Sequence, residues 1–125
     1  DLYGVPDWPQ QPYMRPEGIW EIPMPTLTMY GRQLPIAGGG YFRLMPYWLS
    51  KRLIQRFIDN DLMPYMFYFH PWEIDHQQPR IADAGHKSKF RHYVNLAKME
   101  QKLDWLLQDF HWKSLGEVYQ QTLRR

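Results

Sequence analysis

The feature that most constrains the fold is a nearly unbroken apolar and aromatic run from Pro64 to His70. It is far shorter than the roughly 20 residues that a membrane span requires. A run of this length without polar alternation favours a strand buried on both faces, as in a parallel sheet. A helix is predicted before it, with Pro46 in its first turn and Asn60 at its end. The residues at helical spacing on its apolar face are Leu49, Leu53, Ile54, Phe57 and Ile58.

The flanking segments complete an α/β pattern. Gly18–Met24 reads as a strand, and because a helix separates it from residues 64–70, the two strands are predicted to be parallel. Leu27–Tyr30 and Leu34–Ile36 predict a β-ribbon that turns at Gly31-Arg32. The chain is therefore divided into a proline-rich loop at 1–17, a strand, ribbon, helix and strand at 18–70, a loop at 71–95, and C-terminal helices at 96–125 that begin after Asn95 and Ser114.

Composition excludes several classes of binding partner and structural site. The net charge of +2 is too balanced to indicate nucleic acid, and the basic groups Lys51-Arg52, Lys87–Arg91 and Arg124-Arg125 are interpreted as solvated faces. The absence of cysteine excludes disulfides and thiolate metal sites. No membrane span and no signal peptide are visible, so a cytoplasmic location is expected. The 17% of aromatic residues favours a crowded core over sugar-binding faces, which use the same side chains.

The sharpest candidate for chemistry is His70. Functional groups in parallel α/β folds collect at the carboxyl ends of strands, and imidazole exchanges protons near neutral pH. Trp72, Glu73 and Asp75 would place an aromatic wall and two carboxylates beside it. A structural histidine that hydrogen-bonds a loop carbonyl explains the position equally well. Metal binding by the remaining histidines is not favoured, since His-x3-His is absent from the sequence and the polar loop predicts solvent-facing side chains at His76, His86 and His92.

A second candidate region is Gly38-Gly39-Gly40 with the arginine that follows it. The glycines match no phosphate-binding motif and suit a close backbone approach or a mobile loop rim. Arg43 could contact a substrate oxygen or form a structural ion pair. Glu21, an acid on an apolar strand, needs a partner, for which Arg43 is one candidate.

Four segments in this order resemble one known family. They are Glu21-Ile22-Pro23, the stretch from Gly38 to Tyr47, the stretch from Phe67 to Asp75, and the stretch from Phe90 to Leu96. Together they resemble the C-terminal region of NodB-type polysaccharide deacetylases, carbohydrate esterase family 4. The resemblance is to the subfamily found with bacterial exopolysaccharide and exosortase gene clusters. It covers essentially the whole chain.

The resemblance implies a fold and a reaction. The fold would be a distorted (β/α)7-type deacetylase barrel with an inserted β-ribbon, of which this chain is the C-terminal part. The reaction would be hydrolysis of an N-acetyl amide on the sugars of an exopolysaccharide, with His70 as general acid. The wider family has Leu-x-His followed by Asp or a small residue, whereas this chain has His70-Pro71-Trp72. The candidate substrate-binding residues are Trp72, Arg43, Tyr41 and Glu73.

The family's metal ligands are an Asp and a His-x3-His pair, which it places upstream of residue 1. A divalent metal, usually zinc, is therefore expected in the full-length enzyme and none in this chain, which alone should be inactive. Its partners would be the N-terminal part of the same enzyme and the polysaccharide. The alternative is a non-catalytic module that binds carbohydrate or a partner protein, with Trp8, Trp20, Trp72 and Tyr41 facing the ligand. The sequence upstream of Asp1 would distinguish the catalytic hypothesis from the binding-module hypothesis.

Overall fold

The N-terminal half is built from two antiparallel hairpins. A computed structural model describes residues 9–60 and 63–123, so Trp8 and Arg124-Arg125 lie outside the described residues. Strands β1 (Tyr13–Met14) and β2 (Trp20–Glu21) pair with each other, as do β3 (Thr26–Met29) and β4 (Arg32–Pro35). The ribbon prediction is therefore confirmed. Strand β1 was not predicted, because residues 1–17 were expected to be an extended loop.

The turn between β3 and β4 lies one residue earlier than predicted. Tyr30 and Gly31 both have positive φ angles, of 50° and 72°. Two such residues form a type I′ turn, whose twist matches that of the flanking strands. Glycine adopts this backbone without strain, and Tyr30 does so with its side chain in solvent.

Helices form most of the remainder. The helix predicted after Pro46 is confirmed as α2, which covers Tyr47–Asn60 and follows the short helix α1 (Gly39–Leu44). A 3₁₀ helix covers Pro71–Ile74. No described helix is long and apolar enough to cross a membrane. The later helices are α3 (His86–Tyr93), α4 (Leu96–Asp109), α5 (Leu115–Val118) and α6 (Gln120–Leu123).

Both predicted helix starts are confirmed, but they are built differently. Ser114 precedes α5 in a capping box, in which its hydroxyl accepts from the Glu117 amide and the Glu117 carboxylate accepts from the Ser114 amide. Asn95 precedes α4 with a left-handed backbone, φ 53°, and makes no side-chain cap. Its amide group instead donates to the Arg43 carbonyl at 2.7 Å. Asn95 therefore ties the start of α4 to the end of α1.

The prediction of two parallel strands around a crossover helix is wrong for the described residues. Gly18–Met24 contributes only β2, which pairs antiparallel with β1. Residues 64–70 are extended, half-buried or exposed rather than buried on both faces, and make one parallel bridge, Gly38 to Tyr68. The architecture is mixed α/β with two small antiparallel sheets. Whether a run of apolar residues is paired and covered depends on which elements the fold packs against it, which its residue types alone could not reveal.

Two apolar clusters hold these elements together. In the first, the β3–β4 ribbon packs on α2, and in the second, α1 and α2 pack on α4. Phe67 joins the second cluster, with its ring centroid 5.0 Å from that of Phe42. The predicted apolar face of α2 is largely confirmed, since Ile58 alone of its five residues is exposed. The buried members are Leu27, Ile36, Leu53 and Phe57 in the first cluster, and Phe42, Ile54, Met99 and Leu106 in the second.

A buried lysine closes the C-terminal end of α1. The Lys102 ammonium donates to the carbonyls of Phe42, Arg43 and Met45 at 3.2, 2.9 and 2.8 Å. Burial lowers the pKa of Lys102 below its ordinary value. Its three donors match the carbonyls that a helix leaves unpaired at its end, where positive charge is favoured. Lys102 thus anchors α1 to α4 and positions the residues that α1 carries.

The contact between α2 and α4 predicts an acid-sensitive contribution to stability. Asp109 accepts from the Tyr47 hydroxyl and lies 3.1 Å from the Lys51 ammonium. These contacts, the Tyr47 hydrogen bond first, hold the pKa of Asp109 below its usual range. A carboxyl with a lowered folded-state pKa stabilises the protein above its unfolded pKa, and that contribution is lost as pH falls through the folded value.

We therefore expect Asp109→Asn to lower the urea midpoint at pH 7, with a difference from wild type that shrinks steadily as the solution is acidified. Asp104→Asn is the matched control, since Asp104 is an exposed acid on the same helix whose recorded hydrogen bond is to Gln108 within α4. A difference that stays constant from pH 7 to the acid end of the titration would contradict this assignment.

Candidate functional site

The candidate site is an open cleft of about 1270 Å³. Its walls come from the start of α1, the 3₁₀ helix, α3 and the segment between β2 and β3. Pockets for small ligands typically measure about 300–1,000 Å³, so this cleft has room for an extended ligand. All five residues predicted to be catalytic or to bind substrate lie on it: His70, Trp72, Arg43, Tyr41 and Glu73.

Arg43 and Glu73 form a buried ion pair beneath the cleft. Their relative exposures are 1% and 2%, and Arg43 Nε donates to Glu73 Oε1 at 3.0 Å. The guanidinium also donates to the carbonyls of Arg91, His92 and Val94 at 3.1, 3.1 and 2.8 Å. Of the two roles considered for Arg43, the structure records the structural ion pair. The pair joins α1, the 3₁₀ helix and the end of α3.

Gly39 makes this pair possible. A Cβ atom at Gly39 would lie 2.5 Å from both carboxylate oxygens of Glu73, a distance that real Cβ atoms essentially never show. At the neighbouring Gly40, a Cβ would meet nothing within 4 Å. The close backbone approach suggested by the triple glycine is therefore confirmed at Gly39. The glycines do not form a loop rim, since Gly39 and Gly40 begin α1.

His70 lies at the edge of the cleft, directly above the buried carboxylate. Its backbone N–H donates to Glu73 Oε2 at 2.7 Å, and its Nδ1 lies 3.5 Å from the same oxygen. Its side chain is 58% exposed. Both oxygens of Glu73 are thus engaged, one by Arg43 and the other by His70. The histidine has one nitrogen toward a fixed negative charge and a ring that remains open to solvent.

Trp72 forms an aromatic stack with two histidines. Its ring lies 4.0 Å from that of His92 with an interplanar angle of 12°, and 5.9 Å from that of His70 at 19°. The Arg43 guanidinium lies 5.1 Å from the Trp72 centroid. His92 was predicted to face solvent, which is wrong: it is half-buried, and its Nε2 lies 3.0 Å from Gln78 Oε1. His76 and His86 are exposed, as predicted.

The residues that sequence reasoning missed lie on α3. Residues 71–95 were predicted as a loop, yet α3 contributes Lys87, Ser88, Phe90, Arg91 and His92 to the cleft. The helix was missed because its sequence is almost entirely polar and carries no apolar face of helical period. Arg91 belongs to a group interpreted as a solvated face and is exposed; it also lines the cleft, and its carbonyl accepts a hydrogen bond from Arg43.

The partner suggested for Glu21 was also wrong. Glu21 accepts from Arg15 Nη1 at 2.9 Å, across the β1–β2 hairpin. Arg15 is six residues away along the chain, whereas Arg43 is engaged by Glu73. A local hairpin partner satisfies Glu21, so Arg43 is left for the acid that is buried more deeply.

No group of three or more potential metal-ligating side chains occurs among residues 9–60 and 63–123. In the cleft, Glu73 has both oxygens occupied, and His70 and His92 both contact the Trp72 ring. The described residues therefore do not fit a metal ion.

The fold and the cleft together define a mixed α/β protein with an exposed histidine over a buried carboxylate. The chain belongs to the family described as Domain of unknown function (DUF3473), whose profile matches residues 1–120. No curated protein and no solved structure matches it significantly.

Proposed function

We propose that this chain is the C-terminal part of a metal-dependent polysaccharide N-deacetylase and that it supplies the general acid, His70. Two lines support the proposal. The first is the order of four segments that resembles the NodB-type deacetylases. The second, which carries it, is the position of His70 at the edge of the cleft with Nδ1 3.5 Å from the Glu73 carboxylate.

The geometry suits proton transfer to a leaving group. Nδ1 of His70 is directed toward the Glu73 carboxylate at 3.5 Å, so Nε2 of the exposed ring is the nitrogen that we assign to contact with substrate. Glu73 can orient the His70 ring because Arg43 and the His70 amide fix both of its carboxylate oxygens. Glu73 is thus a positioning residue, which acts through the imidazole and needs no contact with substrate.

The proposed step is the collapse of the tetrahedral adduct formed when water adds to the acetyl carbonyl. The C–N bond breaks, its electron pair goes to nitrogen, and His70 Nε2–H delivers the proton that makes the departing amine neutral. The products are acetate and a free amino sugar. The metal that such an enzyme uses would be held by residues outside this chain.

The test is the turnover of the protein that carries this chain together with the upstream metal-binding motifs. We expect His70→Ala to lower the release of acetate from an N-acetylglucosamine oligomer by roughly 100-fold or more, the contribution of a positioned general acid. Metal content measured by elemental analysis should not change. Glu73→Gln should shift the pH profile of turnover, whereas a purely structural role for Glu73 would lower stability without moving that profile.

The control is His76→Ala, since His76 is an exposed histidine six residues further along that does not line the cleft. It should retain full turnover. Full activity of a folded His70→Ala enzyme would remove His70 from the mechanism. Absence of an Asp-Asp motif and of a His-x3-His pair from the rest of the protein would remove the deacetylase assignment itself.

A second candidate is a carbohydrate-binding module without catalysis. The observation that favours it is the exposed aromatic surface on the cleft, where Tyr41 is 46% and Phe90 59% exposed. Such rings offer flat apolar faces to sugars. Glycan binding that is unchanged in His70→Ala, by a protein that releases no acetate, would favour this candidate over the first.

A further inference from the structure

The charged groups that line the cleft do not cancel. Arg43 and Glu73 form an ion pair at 3.0 Å, and Glu21, which also lines the cleft, is paired with Arg15 at 2.9 Å. Among the described residues, the other Lys and Arg residues that line the cleft are Lys87 and Arg91. Neither has an ion pair recorded within residues 9–60 and 63–123. The part of the cleft lining that the structure describes is therefore cationic, although the whole chain has a net charge of only +2.

The position of these two cations disfavours a purely structural role. Lys87 and Arg91 are four residues apart, so they occupy the same face of α3, where like charges repel. The first turn of α3 contains no acidic residue and does contain Lys87, at the end of a helix where positive charge is unfavourable. A helix selected for stability alone would place an acid there. An anionic ligand in the cleft would relieve both repulsions.

The lining also carries the groups that contact a sugar ring. Phe90 lies on the same helix, between Lys87 and Arg91 in sequence, and Tyr41 projects from α1; both are exposed. Lysine and arginine form charge-assisted hydrogen bonds with carboxylates, and aromatic faces cover the apolar faces of sugars. The combination matches a polymer that bears both pyranose rings and anionic groups.

We propose that the cleft binds an acidic polysaccharide, with its anionic groups held by Lys87 and Arg91 and its sugar rings against Tyr41 and Phe90. This deepens the proposed function by naming its substrate class and rests on that function for the assumption that a glycan occupies the cleft. A nucleic acid is disfavoured by the near balance of charge over the chain, and it serves as an outcome of the test.

The experiment is affinity electrophoresis and calorimetry with polygalacturonate, and with dextran as the uncharged polymer. Wild type should bind polygalacturonate at least about tenfold more tightly than dextran, since two charge-assisted contacts are at stake. Lys87→Glu/Arg91→Glu should lose roughly tenfold or more of that affinity. Lys87→Gln/Arg91→Gln should lose a smaller part of the affinity for polygalacturonate. This variant keeps the proposal testable if charge reversal unfolds α3, which circular dichroism would report.

The matched control is Arg56→Glu/Lys113→Glu, which changes the net charge equally at exposed positions away from the cleft. It should bind as wild type does. Equal loss in this control would overturn the proposal in favour of a net-charge effect. Equally tight binding of polyglutamate or single-stranded DNA would overturn the sugar component. Failure to bind polygalacturonate, with acetate release from a neutral oligomer intact and still dependent on His70, would overturn the acidic substrate and leave the deacetylase assignment standing.

Discussion

Replacement of Arg43 by methionine should lower the free energy of unfolding by about 3–5 kcal/mol, the usual result of breaking a buried ion pair on one side. The substitution leaves the Glu73 carboxyl group, which is 2% exposed, without its cationic partner. It also removes the donors to three carbonyls at and beyond the end of α3. Urea unfolding followed by tryptophan fluorescence measures the change.

Two further variants separate the effect of the Arg43 charge and its hydrogen bonds from the effect of an unpaired Glu73. Arg43→Lys keeps the charge but loses the planar fork of donors, so it should recover only part of the stability. In the double variant Arg43→Met/Glu73→Leu the unpaired carboxylate is gone, so its loss should be smaller than the sum of the two single losses. Arg32→Met, at an exposed arginine of β4, should change stability by no more than about 0.5 kcal/mol. A loss below about 1 kcal/mol in Arg43→Met would contradict the picture of a central buried pair.

Gly39→Ala should lower the free energy of unfolding by about 3 kcal/mol, at the upper end for inserting one methyl group into a packed interior. The new Cβ would lie 2.5 Å from both oxygens of Glu73. The carboxylate cannot move aside easily, because Arg43 and the His70 amide each hold one of its oxygens. In the proposed enzyme the same change should displace Glu73 from His70 and lower turnover.

The adjacent glycine provides the control. Gly40 is also in α1, and a Cβ there would meet nothing within 4 Å. Gly40→Ala should therefore leave stability unchanged or raise it by about 0.5–1 kcal/mol, because alanine has less backbone entropy to lose in a helix. Equal effects of the two substitutions would show that helix propensity, rather than the contact with Glu73, governs this segment.

Local elements were predictable because neighbours along the chain decide them. The apolar period after Pro46 located α2 and its end at Asn60, and Ser114 marked the start of α5, where its capping contacts reach a residue only three positions away. Helix α3 was not predictable in this way. It has no apolar stripe, and its end is held by Arg43, whose hydrogen bonds to it join residues 48–51 positions apart.

The sequence by itself determined which residues have the chemistry to form a site. His70 with Trp72 and Glu73, the triple glycine and Arg43 are visible in the printed chain, and all of them lie on the cleft. Only the tertiary structure decided which of them remain free to act. A buried charged group forms its ion pair with the opposite charge that the fold brings into contact with it. By residue type alone, either Glu21 or Glu73 could have paired with Arg43. In the folded protein Arg43 pairs with Glu73, and the His70 ring remains exposed above that pair. Lys87 and Arg91 also line the cleft, and they lie on a helix that has no apolar pattern.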